Sequence, residues 1–235
     1  MNKKHHLVAL FFCITALGFV FLESCQTGKN LNTYKGKPYS DSIYNAGAQT
    51  IPGKLQCEYY DFGGEGIAFH DNDSTNSGSG RLNPADGSYL HEFRIDESVD
   101  ISYTKFRDPA IDNTLYNLVQ PEKDQLYVGW TNAGEWTKYT VNVTKAGTYQ
   151  LGIMYTSNQN GKIAISVNDQ DATGPLLIPS TFVAEDSVAW RQWHHWNYID
   201  SISQVKLKEG LQTLTIHTVE IGQMNYDYID FKLAE

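Results

Sequence analysis

From Ile51 to Glu235 the chain is a succession of short β-type segments broken by turn residues, and no part of it shows a capped helical period. Glu135 to Val143 is rich in Trp, Tyr, Thr and Val, residues that suit a pleated, half-buried surface. Ala146-Gly147 is a turn, and Thr148 to Thr156 follows as a strand. Asn160-Gly161 predicts a two-residue hairpin, because both residues tolerate positive φ. Lys162 to Val167 alternates polar and apolar residues, the mark of a strand with one buried face. Val205 to Leu207, Thr213 to Val219 and Tyr226 to Leu233 continue the series. Strands this short and this closely spaced predict an all-β, antiparallel sandwich or barrel. Hydrophobic residues make up 41% of the chain, enough to fill such a core.

The first 50 residues read differently. Lys3 and Lys4 precede an apolar run from Leu7 to Leu22, short for a membrane span. Leu22-Glu23-Ser24-Cys25 resembles a bacterial lipobox, in which the cysteine is lipidated; Glu23 departs from the pattern. The reading is a lipoprotein signal over 1–24 with Cys25 as the lipidation site. An ordinary signal peptide or an uncleaved anchor stays open. Residues 25–50 are polar and aperiodic and read as a tether. The folded domain is expected over 51–235. Its only cysteine, Cys57, leaves no disulfide to form within it.

The formal charge of −9 argues against nucleic acid, whose phosphates need a basic surface. It also argues against membrane contact other than through a lipid. Asp71 to Gly87 and Phe106 to Gln125 are long polar stretches of the kind that carry function on compact domains. Asp71-Asn72-Asp73 fails the calcium-hand pattern, since Asn76 and Leu82 stand where Gly and Glu are required. Ser77-Gly78-Ser79-Gly80 has no strand before it to make a nucleophile elbow. His194 and His195 are neighbours and point opposite ways on a strand, so one buried and one exposed histidine is the better reading than a metal pair.

Several segments, in order, resemble a family 6 carbohydrate-binding module. Gln56-Cys57-Glu58-Tyr59-Tyr60-Asp61 is similar to its opening acid-small-acid strand, with Gln56 in place of the first acid. Gly63 to Asp71 is similar to its glycine-rich turn. Phe93-Arg94 and Val99-Asp100-Ile101 resemble its next strand. Tyr127 to Thr131 with Gly134-Glu135-Trp136 and Tyr139-Thr140-Val141 match most closely. Gly210 to Leu214 and Met224 to Ile229 resemble its last strands. Residues 82–93 and 106–126 stand out as insertions, and 190–197 is richer in rings than the pattern.

The resemblance implies a jelly-roll, galactose-binding-like β-sandwich that binds an oligo- or polysaccharide and does no chemistry. Sugars offer C–H faces that stack on rings and hydroxyls that take hydrogen bonds. The family clamps a sugar between two rings and bonds it with an asparagine. Carried over, these are Tyr127, Trp190 and Asn225. Strand parity over 190–197 puts Trp190 and Trp196 on one face and Trp193 on the other. Trp193 is expected in the core, and so are Trp130 and Trp136. The family also ties its first strand to its last with structural calcium. The implied ligands are Gln56, Glu58, Asp227 and the carbonyl of Arg94, with Gln56 and Glu58 projecting from one strand face. Calcium favours such hard oxygen donors, and the intervening Cys57 reads as a small buried residue.

The implied setting is the bacterial cell envelope, lipid-anchored at the outer membrane and facing the periplasm or the exterior. A separately encoded glycoside hydrolase is a natural partner. Two other readings stay open, a sandwich glycosidase and an adhesin or assembly protein.

Overall fold

The computed structural model describes residues 33–107, 111–220 and 222–234. The signal segment and Cys25 lie outside the described residues. Among the described residues no helix is long and apolar enough to cross a membrane.

Two sheets face one another. The first contains β1 (Gln49–Ile51), β6 (Trp136–Val143), β12 (Gly210–Glu220), β8 (Gly161–Val167) and β10 (Leu176–Ile178) in that order; β3 (Phe69–His70) pairs with β6 and β9 (Gln170–Asp171) with β8. The second has the order β11 (Asn197–Leu207), β7 (Gly147–Ser157), β13 (Met224–Leu233), β5 (Leu126–Val128) and β4 (Ile101–Tyr103), with β2 (Gly53–Gln56) on β13. Pairing is antiparallel except between β1 and β6. From β6 on, the chain passes to the opposite sheet at every connection except β8–β9 and β9–β10, as in a jelly roll.

The core is the inward half of each alternating strand. Ile163 and Ile165 of β8, Tyr139, Val141 and Val143 of β6, and Leu214 and Ile216 of β12 meet Leu151 and Ile153 of β7 and Ile229 and Phe231 of β13. Each such side chain contributes about 1.5–3 kcal/mol through burial.

Asn160-Gly161 is not a hairpin turn. It joins β7 to β8 across the sandwich, and neither residue has positive φ. The glycine serves packing instead, since a Cβ at Gly161 would lie 2.7 Å from the Met224 sulfur. The two-residue hairpin falls at Asn168-Asp169, between β8 and β9, with φ of 51° and 63°. Asn and Asp tolerate that region through local hydrogen bonding.

The supposed tether is largely docked from Tyr34 on, where the Lys138 ammonium lies over the Tyr34 ring. Lys37 bridges to Phe62, Tyr39 is buried in the core, and Tyr44 stacks on Tyr59 with centroids 4.1 Å apart. The domain therefore extends to the N-terminal side of residue 51.

The loop from Asp71 to Gly87 is clamped onto the second sheet. Buried Asn76 accepts N–H bonds from Gly78, Ser79 and Ile101 through its Oδ1. Gly78 lies so close to the Ile101 carbonyl that no Cβ would fit. A one-turn helix, α1 (Tyr89–Glu92), follows within the insertion at 82–93.

Candidate functional site

Where β5 ends and β13 begins, loops enclose a cavity of about 570 Å³, a volume typical of small-ligand sites. Tyr127, Trp190 and Asn225 all line it. They do so in different ways.

Asn225 is 5% exposed and acts as a tie. Its Oδ1 accepts the Trp130 N–H at 3.2 Å. Its amide donates to Thr156 Oγ1 at 3.0 Å and to the Trp193 carbonyl at 2.8 Å. Both donors are thus spent inside the protein, and one acceptor lone pair is left for a ligand. Gly129 makes the approach possible, because a Cβ there would stand 3.0 Å from Asn225 Oδ1 and 3.1 Å from the Tyr127 ring. Trp130 follows with φ of 48°. A bulky residue is rare in this region, and such strain of order 1–3 kcal/mol gathers at functional sites.

Trp130 is 38% exposed and lines the cavity, so its expected place in the core is wrong. Its left-handed backbone turns the ring out of the β5 alternation. Trp190 is 47% exposed and lines the cavity as well. Tyr127 is only 1% exposed. It forms a wall, in a small cluster with Met154 and Trp196 that is separate from the main core. Its ring meets Trp196 edge-on at 5.3 Å. The open rings are therefore Trp130 and Trp190 rather than Tyr127 and Trp190.

The parity reading of 190–197 also fails, because Ala189–Trp193 is a 3-10 turn and β11 starts only at Asn197. Trp193, expected in the core, is half-buried on the cavity wall, and its indole N–H donates to Gln223 Oε1 at 3.1 Å. Trp196 is the fully buried one. Trp136 likewise leaves the core. It is half-buried on the far face of the first sheet, over a shallow depression with Lys138 and His217.

Buried carboxylates hold this wall. Asp112, from the insertion at 106–126, accepts the Trp196 indole N–H at 2.7 Å and the Lys105 N–H at 2.7 Å. It also contacts His194 Nδ1 at 2.8 Å. Asn117 Oδ1 accepts the Trp196 N–H, and the Leu118 and Val119 N–H groups close on the Trp196 carbonyl. Asp186 pairs with Arg191 at 2.7 Å and with His195 at 2.8 Å. Hydrogen bonds from the Arg191 guanidinium hold the Asp186 carboxyl well below the usual carboxylate range. His195 is buried and satisfied, and half-buried His194 lines the cavity.

The remaining polar lining includes Asp73, Ser77, Asp100, Asn132 and Gln223. Gln223, with φ of 49°, keeps its Nε2 free of hydrogen bonds among the described residues. Burial pushes the Asp100 carboxyl up to about 6, with the Glu135 and Asp73 charges adding to the shift.

The model for carbohydrate binding module (family 6) matches residues 102–233. The chain belongs to this family of binding modules. Its two facing sheets, antiparallel but for one pair, form a β-sandwich. One family 6 module of similar fold, from Clostridium stercorarium, was solved in complex with cellobiose. It shares 11% identity over 80% of this chain and 99% of its own, with a TM-score of 0.48. A β-1,3-glucan-binding family 6 module from Bacillus halodurans shares 13% over 79% and 98%, with a TM-score of 0.46. A family 6 module of Cellvibrio mixtus lichenase 5A, in complex with cellotriose, shares 22% over 47% and 79%, with a TM-score of 0.36. No curated protein matches the chain.

Away from the cavity this module carries a second feature. β2 pairs with β13 so that Gln56 faces Tyr228. Glu58 and Asp227 are each 2% exposed, and among the described residues Glu58 Oε2 and Asp227 Oδ1 have no hydrogen-bond partner. Burial raises both carboxyls, Asp227 to about 8, and the Asp227 charge raises Glu58 further. Two orphaned carboxylate oxygens in a buried place fit a hard cation.

The rest of the implied set differs. Glu58 belongs to a 3-10 turn (Cys57–Tyr59), not to a strand face shared with Gln56. Gln56 Oε1 accepts from Gln125 Nε2 at 3.3 Å. Among the described residues Arg94 makes its hydrogen bonds and ion pair to Tyr60, Asp61 and Glu97 and none to Glu58 or Asp227. Its carbonyl accepts the Glu97 N–H, and its guanidinium reaches the Tyr60 and Asp61 carbonyls and stacks on the Tyr60 ring at 3.5 Å. Among the described residues no three His, Cys, Asp or Glu side chains cluster as a metal site. Cys57 is fully buried.

Proposed function

We propose that the protein captures a polysaccharide at the bacterial cell envelope without cutting it, held there by a lipid on Cys25. The observation that carries this reading is the exposed indole pair Trp130 and Trp190 at a cavity of sugar-binding size. Sugar rings lie against such faces, and Gln223 Nε2, Asn132 and the spare lone pair of Asn225 meet their hydroxyls. A single site of this kind binds with about −5 to −6 kcal/mol, tens to hundreds of micromolar. A separately encoded glycoside hydrolase would gain from the raised local concentration of substrate. The test is affinity electrophoresis against soluble polysaccharides. Trp190→Ala abolishes retardation and leaves the melting temperature in place; equal loss of both makes the ring structural. Cys25→Ala releases the protein from the membrane fraction if the lipid reading is right.

Calcium is proposed as a structural ion between Glu58 and Asp227, with nearby carbonyls completing its shell. A chelator then lowers the melting temperature, and Asp227→Asn removes that response. An unchanged melt discards the ion.

One observation favours a second reading. Asp73 and Asp100 share the cavity, and Asp100 is shifted toward a proton donor's range. Release of reducing ends that disappears in Asp100→Asn would establish hydrolysis.

A further inference from the structure

The sugar cavity does not end at its own wall. A second cavity of about 560 Å³ adjoins it, and Leu82, Tyr103 and Lys105 line both. Its walls come from the two insertions, through Asn83 to His91 on one side and Arg107, Lys123 and Asp124 on the other. Through these shared residues the two cavities lie side by side as one groove.

The halves differ in chemistry. The first offers indoles and carboxylates. The second offers cations, in a chain whose formal charge is −9. Lys105 stands at the waist, largely covered, over the Tyr103 ring at 4.8 Å and touching Asn83 Oδ1. Neither Lys105 nor Arg107 makes an ion pair among the described residues. The anions nearby are already engaged. Asp86 pairs with His91 at 3.0 Å, Asp124 with Lys123 at 3.5 Å, and Asp112 with His194 and Trp196. Burial, with Arg107 adding to it against the pull of Asp112, holds the Lys105 ammonium below its ordinary pKa. A covered cation beside a second cation is unfavourable until an anion joins them.

We propose that the groove is one surface, and that its second half selects a sugar carrying an anionic group, a uronate carboxylate or a sulfate ester. Lys105 meets that group, and Arg107 and Lys123 flank it. The stacked sugar occupies the first half, so this inference rests on the carbohydrate reading of that cavity and narrows its substrate class to acidic polysaccharides.

The test uses matched glycan pairs that differ only in charge. β-1,4-glucuronan is set against β-1,4-glucan, polygalacturonate against its methyl ester, and a sulfated galactan against its desulfated form. Retention of the purified protein is measured in low salt and in 0.5 M sodium chloride, on the order of the Debye screening needed. The expected result is retention of an acidic member at least tenfold stronger than its neutral match. High salt and the double variant Lys105→Gln/Lys123→Gln bring the two within about twofold. Trp190→Ala removes binding of both members. Whether a uronate or a sulfate is read follows from which pair discriminates. Retention of neutral members alone, or retention indifferent to salt and to the double variant, overturns the acidic preference and leaves the sugar site standing. Loss of every glycan in every pair overturns the sugar site and the preference together.

Discussion

The sandwich interior and the cavity rim are built on different physics. Between the sheets, Ile153, Val141 and Phe231 are held by apolar contact, which has no preferred direction. At the rim and in the wall behind it, hydrogen bonds do the holding: the Trp130 N–H donates to Asn225, and the indoles of Trp193 and Trp196 donate to Gln223 and Asp112. These bonds are directional and partly buried, so each one fixes an angle as well as a distance. Substitutions in the interior should therefore change how much protein is folded. Substitutions at the rim should change what the folded protein can grip.

The largest effect belongs to the interior. Ile153→Ala should lower stability by about 2–5 kcal/mol, read by chemical denaturation, while the folded fraction retains glycan unchanged. A parallel loss of affinity would mean the two regions are not separable. Asp112→Ala comes next. It leaves the Trp196 indole and His194 without their acceptor and should cost about 1–3 kcal/mol. Retention in affinity gels should fall with it, and Asp112→Asn should restore part of both. Acid should act at the rim through Asp186. Its pKa is depressed by Arg191, so its contribution is present above the unfolded carboxylate value of about 4 and is lost as pH falls below it. Glycan retention and tryptophan emission should change together below about pH 4, and Asp186→Asn should flatten that change. The smallest stability effect is expected for Trp190→Ala, within about 0.5 kcal/mol by thermal melting, despite the loss of binding.

The same division explains what could be read in the residues alone. Period-two alternation in Lys162 to Val167 reports the interior directly, because burial on one sheet face imposes it. The wall at 189–196 obeys no such period. A 3-10 turn set by Asp186 and Asp112 turns Trp193 toward the cavity and buries Trp196, and these carboxylates lie far from it in sequence or outside any strand. Trp190 and Asn225 could be placed by resemblance, but not the use of the Asn225 amide as an internal tie. The only sequence mark of Trp130 is a glycine directly before a large ring at the end of a strand. The hairpin at Asn168-Asp169 is masked in the sequence by Asn160-Gly161, which carries the stronger dipeptide signal although its glycine answers to Met224.

The docking of residues 34–50 also bears on where the site can go. With the whole of 25–50 free, the leash from Cys25 could pay out to roughly 85–90 Å. With the chain fastened from Tyr34, only nine residue steps remain from Cys25, a reach of at most about 32 Å. A lipid at Cys25 would then keep the domain pressed near the bilayer, able to swivel but not to fish. Polymer would have to arrive at the membrane to be caught, and any enzyme sharing it would have to work at that same height.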